Sequence, residues 1–215
     1  MNLVILGPQG SGKGTQADLL IKKYGLSHVD IGLALRNVAK AATPLGEKIN
    51  EIINVRKELV SDHVIAEVLE HELSQIPAKS GVILDGAPRR VGQIDEVENA
   101  FKKSGRRIDK VIHVHIPETE SVIRISKRYN CTQCQMHLIL GKDVHNGDEA
   151  CPSCGGRIEQ RPDDTVAGVR KRLHVYRDET LPVVEHYRQQ KKLVEVNGLQ
   201  RVDQVFQEIV AKLEK

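Results

Sequence analysis

Residues 3–15 read LVILGPQGSGKGT, and no other stretch restricts the fold as much. A four-residue apolar run enters a loop with glycines at 7, 10, 12 and 14. Residues 15–24 then carry Ala17, Leu20 and Ile21 at helical spacing, with Gly25 as a stop. Strand, glycine-rich loop and helix in this order make a phosphate cradle. The glycines let backbone N–H groups approach phosphate oxygens, and the helix points its positive end at the same place. Lys13 can reach the outer phosphates as a point charge. The usual loop has Ser or Thr directly after the lysine, as a magnesium ligand. Here Gly14 intervenes and Thr15 comes one place late.

The rest of the chain alternates in the same way. Short apolar runs at 27–29, 81–85, 108–116 and 193–196 read as strands. Helical patterns fit 33–40, 45–55, 61–73 with Ser61 as N-cap, 94–103, 117–129, the stretch after Pro162 up to a break at Pro182, and 202–213. This predicts an α/β fold, a parallel sheet of about five strands covered by helices on both faces. Residues 130–160 depart from the pattern with glycines, cysteines and polar residues, as an inserted module does. The expected division is a core of 1–129 and 161–215, a helical segment at 30–60 inserted in it, and the module at 130–160.

Composition narrows the function. Aromatics are 3% and tryptophan is absent, so a base-stacking platform is excluded as the main activity. The net charge of +3 suits a small anionic substrate but is too weak to argue for nucleic acid. No run approaches the roughly 20 apolar residues of a membrane span, and no leader pattern precedes the first strand. A cytoplasmic protein without membrane or nucleic-acid partners is expected.

All four cysteines lie in the inserted module, as Cys131-x2-Cys134 and Cys151-x2-Cys154. Two such pairs can converge on one tetrahedral ion, zinc above all, with every position filled by sulfur. A closed shell leaves nowhere for substrate, so the metal is expected to be structural. His137 and His145 read as solvated loop residues, and His113 and His115 as sheet residues.

The Gly-Lys-Gly-Thr ending resembles that of the nucleoside monophosphate kinases, the adenylate kinase family in particular. So do DIGLAL at 30–35, ILDGAPRR at 83–90 and QRPDDTVAGVRKRL at 160–173. The cysteine spacing is similar to the zinc-bearing lid of the long form of that family, and the resemblance covers nearly the whole chain. It implies transfer of the terminal phosphoryl of MgATP to AMP, giving two ADP, with magnesium held mainly by phosphates and water. ATP would be bound by Gly10, Ser11, Gly12, Lys13, Gly14, Thr15, Arg124, Arg128 and the loop at Gln200. AMP would be bound by Ile31, Arg36, Glu58, Leu59, Val60, Gly86, Arg89 and Gln93, with Arg161 and Arg172. Lys13, Asp85, Arg89, Arg128, Arg161 and Arg172 would carry catalysis, Asp85 facing the magnesium waters. Arg124 and Arg128 are expected one helical turn apart. Asp163 and Asp164 match as well. The family is mostly monomeric, so a monomer is expected, with a homo-oligomer open.

Three departures bear on the acceptor. Ile31-Gly32-Leu33 stands where the family has Thr-Gly-Asp, Ala87 stands in place of Phe, and Arg90 follows Arg89. Another or a broader nucleoside monophosphate kinase therefore stays open. So does a P-loop ATPase with a zinc-ribbon nucleic-acid module, which would release phosphate without an acceptor.

Overall fold

In the computed structural model, β1 (Asn2–Leu6) leads to α1 (Lys13–Tyr24), and β2 (Ser27–Asp30) to α2 (Ile31–Lys40) and α3 (Pro44–Asn50), which runs on as a π-helical turn, Glu51–Arg56. α4 (Asp62–Ser74) precedes β3 (Val82–Asp85), α5 (Ile94–Lys103) and β4 (Lys110–His115). α6 (Glu118–Ser126) passes into β5 (Arg128–Cys131), β6 (His137–Ile139) and β7 (Ile158–Glu159). Then come α7 (Val166–Val175), a π-helical turn at Tyr176–Thr180, α8 (Leu181–Gln189), β8 (Leu193–Asn197) and α9 (Val202–Leu213). The structure describes residues 1–56, 60–134, 136–160 and 164–215, without the side chains of 45 and 54–56.

The apolar strand runs follow from burial on both faces. Leu3 and Ile5 of β1 join Ile83, Ile112 and Val194 in a core under α1 and α9. Val4 and Leu6 join Val82, Leu84 and Val111 in a larger core under α2, α4, α5 and α8. The five strands run parallel in the order β2-β3-β1-β4-β8. From β1 the chain goes to the edge strand β2, returns to β3 between the two, and then crosses to β4 and β8 on the other side of β1. The loop after β1 therefore opens at the reversal of strand order, where α/β sheets bind ligands.

β6, β5 and β7 form a separate antiparallel sheet in that order. Its own small core is Leu138, Val144 and Ile158 with Cys131 and Cys151. No helix among the described residues is long and apolar enough to cross a membrane.

Three local expectations are corrected. The helix expected to reach 129 stops at Ser126, because the Lys127 carbonyl accepts from Leu140 N–H at 2.7 Å and Arg128 pairs with Ile139. Arg128 is thus a strand residue, not one helical turn from Arg124. Pro182 does not break a helix: it occupies the first turn of α8, where its missing N–H costs nothing. Ser61 is the N-cap residue of α4, but its hydroxyl makes no capping bond.

Candidate active site

The glycine loop has the backbone that its sequence requires. Gly10 and Gly12 have φ of 77° and 90°, left-handed values that disfavour a side chain. A Cβ on Gly7 would fall 2.5 Å from the Val114 carbonyl oxygen, whereas one on Gly12 or Gly14 would meet nothing within 4 Å. Gly7 is thus demanded by packing, and Gly12 and Gly14 border open space. The first turn of α1 carries no acid, so nothing local neutralises its positive end. Ser11 is buried, yet its hydroxyl has no hydrogen-bond partner among the described residues, and neither does the side-chain carbonyl of Gln9.

Lys13 starts α1 with its amine among Asp85, Arg89, Arg128 and Asp30. Desolvation lowers its pKa, as do Arg89 and Arg128, while Asp85 and Asp30 oppose the shift. Asp85 ends β3 beside Ile5 of β1 and Asp30 of β2. Burial pushes its carboxyl above the usual range, and Lys13 pulls it back. Two carboxylates, Asp85 and Asp30, therefore act on one ammonium, with the Arg89 and Arg128 guanidinium charges nearby.

A second group of cations lies beyond Asp85. Gly86 has φ of 94° and its carbonyl accepts from Arg89 Nε at 2.8 Å. A Cβ on Gly86 would lie 3.5 Å from Arg89 Nη2, 3.5 Å from Gly32 N and 3.8 Å from Ile31 Cβ. A Cβ on Gly32 would lie 3.2 Å from Arg36 Nη1. Two glycines thus leave room beside two exposed arginines, Arg36 and Arg89. The main chain of Arg89 is held on both sides. Its N–H donates to Gln93 Oε1 at 2.7 Å, and its carbonyl accepts from Thr180 Oγ1 at 2.8 Å. Gln93, though near a helix start, is buried, and so is Ile31.

A third group is tied by one carboxylate. Asp164, whose side chain is 0% exposed, accepts from Arg128 Nε at 3.0 Å, from Arg128 Nη2 at 2.8 Å and from Arg172 Nη2 at 2.8 Å. Arg128 comes from β5 and Arg172 from α7, so the carboxylate joins two elements that would otherwise carry facing cations. Arg124 has a separate placement. It pairs with Glu120 at 2.7 Å and donates to the carbonyls of Gly10 at 3.3 Å and Gly198 at 3.0 Å. Gln200 donates to Glu208 at 2.6 Å, and Thr15 is exposed. Glu58, Leu59, Arg161 and Asp163 lie outside the described residues.

A family model described as adenylate kinase matches residues 5–192. The chain is also similar to the adenylate kinase of Archaeoglobus fulgidus, at 39% identity with 100% of this chain and 99% of the relative covered. It is similar to that of Trichlorobacter lovleyi at 38%, with 99% of each covered, and to that of Thermosipho africanus at 39%, with 98% of each covered. The chain belongs to the adenylate kinase family.

The kinase also carries its four cysteines as a cluster. All four Sγ atoms lie within 4.8 Å of one another, with Cys131–Cys154 at 3.4 Å and Cys134–Cys151 at 3.7 Å. Tetrahedral zinc with Zn–S of about 2.3 Å requires sulfurs about 3.8 Å apart, so the residues fit such an ion. The Cys131 thiol is drawn down to about 6, chiefly by the Cys134 backbone N–H and then by burial's opposition being outweighed by Gln133 N–H and neighbouring sulfurs. Cys134 is pulled down by Met136 N–H, but its sulfur neighbours and burial together push it up to about 12.

Sequence reasoning missed two features of the kinase. Arg90 ties Val60 to Asp62, and its only sequence signal was its departure from the family pattern. His113 is buried between Glu195 at 3.0 Å and the Tyr176 hydroxyl at 2.6 Å, two partners from two distant segments.

Proposed function

We infer that this kinase moves the terminal phosphoryl of MgATP to AMP, giving two ADP. The observation that carries the reading is the convergence of Lys13, Asp85, Arg89 and Arg128 at the reversal of strand order, beside an open glycine cradle. Two polyanions must be brought in line, so fixed positive charge is the main requirement.

The amides of residues 10–15 and Lys13 would hold the donor phosphates. Arg124 and the loop at Gln200 would border the donor base. Arg36 and Arg89 would grip the AMP phosphate, with Ile31, Gly86, Gln93 and residues 58–60 around its ribose and base. Arg128, Arg172 and Arg161 would spread the charge of the migrating group. An AMP phosphate oxygen attacks the terminal phosphorus as its bond to the ADP oxygen breaks. The attacking oxygen is already anionic, so no protein base is needed. Magnesium arriving with ATP would supply charge neutralisation at the phosphates, and Asp85 would be the residue that faces its waters. Zinc would be held by Cys131, Cys134, Cys151 and Cys154, pinning 130–160 as a cover that excludes water. A cytoplasmic monomer completes the proposal. The test is coupled turnover with ATP against AMP, GMP, CMP and UMP. AMP should have the highest kcat/KM. Phosphate release from ATP with no acceptor dependence would overturn the reading.

A further inference from the structure

We propose that Arg90 is a positioning residue for the acceptor nucleotide, fixing the distance between its phosphate anchor and its base site. The proposal rests on the acceptor assignments above, namely Arg89 at the phosphate and Val60 at the base.

These two contacts come from chain segments about thirty residues apart, and no strand pairing joins them. Arg90 does. It follows Arg89 directly and opens the 3-10 turn Val91–Gln93, with its carbonyl accepting from Gln93 N–H at 3.0 Å. Its side chain then spans back to the start of α4. Nη2 donates to the Val60 carbonyl at 2.8 Å, and Nε lies 2.7 Å from Asp62 Oδ1. The second is a charge contact without hydrogen-bond alignment. Asp62 itself lies against the turn: a Cβ on Gly92 would fall 3.1 Å from its other oxygen. Arg90 and Asp62 are about a third exposed, at 29% and 33%, so the strap can yield rather than being locked in the core.

Arg89 is fixed independently, by Gln93 on its N–H and Thr180 on its carbonyl. Loss of Arg90 therefore leaves the phosphate anchor in place and frees only residue 60 and the α4 start relative to it. An acceptor that bridges both ends should suffer. One that touches the phosphate anchor alone should not.

The variants are Arg90→Ala, Arg90→Lys and Asp62→Asn. Arg90→Ala is expected to raise KM for AMP about tenfold, the factor carried by one hydrogen bond from a charged group. KM for ATP and kcat at saturating AMP should stay within a few-fold of the parent. Arg90→Lys should fall between, because a point charge can serve Val60 or Asp62 but not both. Ribose 5-phosphate, tested as a competitor of AMP, should keep its inhibition constant in Arg90→Ala. A mere brace would lower Tm and leave KM for AMP unchanged, which overturns the proposal. Equal changes for AMP, ATP and ribose 5-phosphate also overturn it. If Arg90→Ala does not fold, Asp62→Asn and Arg90→Lys still decide it through the AMP-to-ATP ratio of KM changes. Absence of AMP-dependent turnover in the parent enzyme would instead defeat the functional reading on which the proposal rests.

Discussion

Asp164→Asn should damage both the stability and the turnover of this kinase. The parent carboxylate is 0% exposed and accepts from two guanidinium groups, Arg128 and Arg172, which are 17% and 24% exposed. Asparagine keeps one oxygen and replaces the other by an NH2 that points at a cation. The charge that offset two arginines disappears. Breaking a buried pair costs about 3–5 kcal/mol, and the partial solvation of both arginines puts this case at about 3 kcal/mol. For a domain of this size 1 kcal/mol moves Tm by about 2–4 °C, so the drop should be about 6–12 °C. Arg128 and Arg172, no longer drawn together, separate. A displacement of about 1 Å at a phosphoryl-transfer site costs about 10²-fold. Scanning calorimetry gives the first quantity and coupled turnover at saturating ATP and AMP, well below Tm, gives the second. Asp164→Glu restores the charge at a shifted position and should recover stability better than rate. Turnover within a few-fold of the parent together with an unchanged Tm would refute the reasoning.

Two other results are expected. Verified removal of metal with a chelator should lower Tm more than it lowers turnover at low temperature, since four sulfurs close the shell and leave no position for substrate; an unchanged Tm would count against a structural ion. His113 has its pKa lowered from 6.5, chiefly by burial and against the pull of Glu195. The unfolded chain then binds more protons than the folded one just below 6.5, so the contribution of His113 is complete above 6.5 and is lost as pH falls through that window. Urea midpoints measured on both sides of 6.5 should show this slope in the parent and a flatter one in His113→Phe, and equal slopes would sink the assignment.

What could be read in the sequence follows from how local each constraint is. The glycine loop was legible because strand, turn and helix start are adjacent, and Gly10 and Gly12 are demanded by their own dihedrals within that unit. The parallel sheet was legible because strands covered on both faces must be apolar throughout. The cysteine cluster was legible because metal ligation constrains spacing directly. Arg128 was misplaced because its helical pattern is overridden by pairing with Ile139, eleven residues away. Asp164 was noticed only as a match to a motif. That it clasps two arginines depends on β5 meeting α7, which no local pattern records. Arg90 was visible as an anomaly, but its partners, Val60 and Asp62, were not.

The strand β5 shows why the candidate metal site and the arginine proposed for catalysis can share a short segment without being the same switch. β5 begins at Arg128 and ends at Cys131. Its first residue is held by Asp164 and its last belongs to the sulfur cluster. Between them, the strand pairs with β6 through Arg128, Tyr129 and Asn130. Losing the ion frees one end, and the carboxylate clasp with the β6 pairing still fixes the other. Arg128 then keeps its place at low temperature, while the small core around Leu138, Val144 and Ile158 loses its staple and melts earlier on heating. Losing Asp164 should have the opposite consequence: the cysteine end survives, and Arg128, proposed to meet the migrating phosphoryl, is the part set loose.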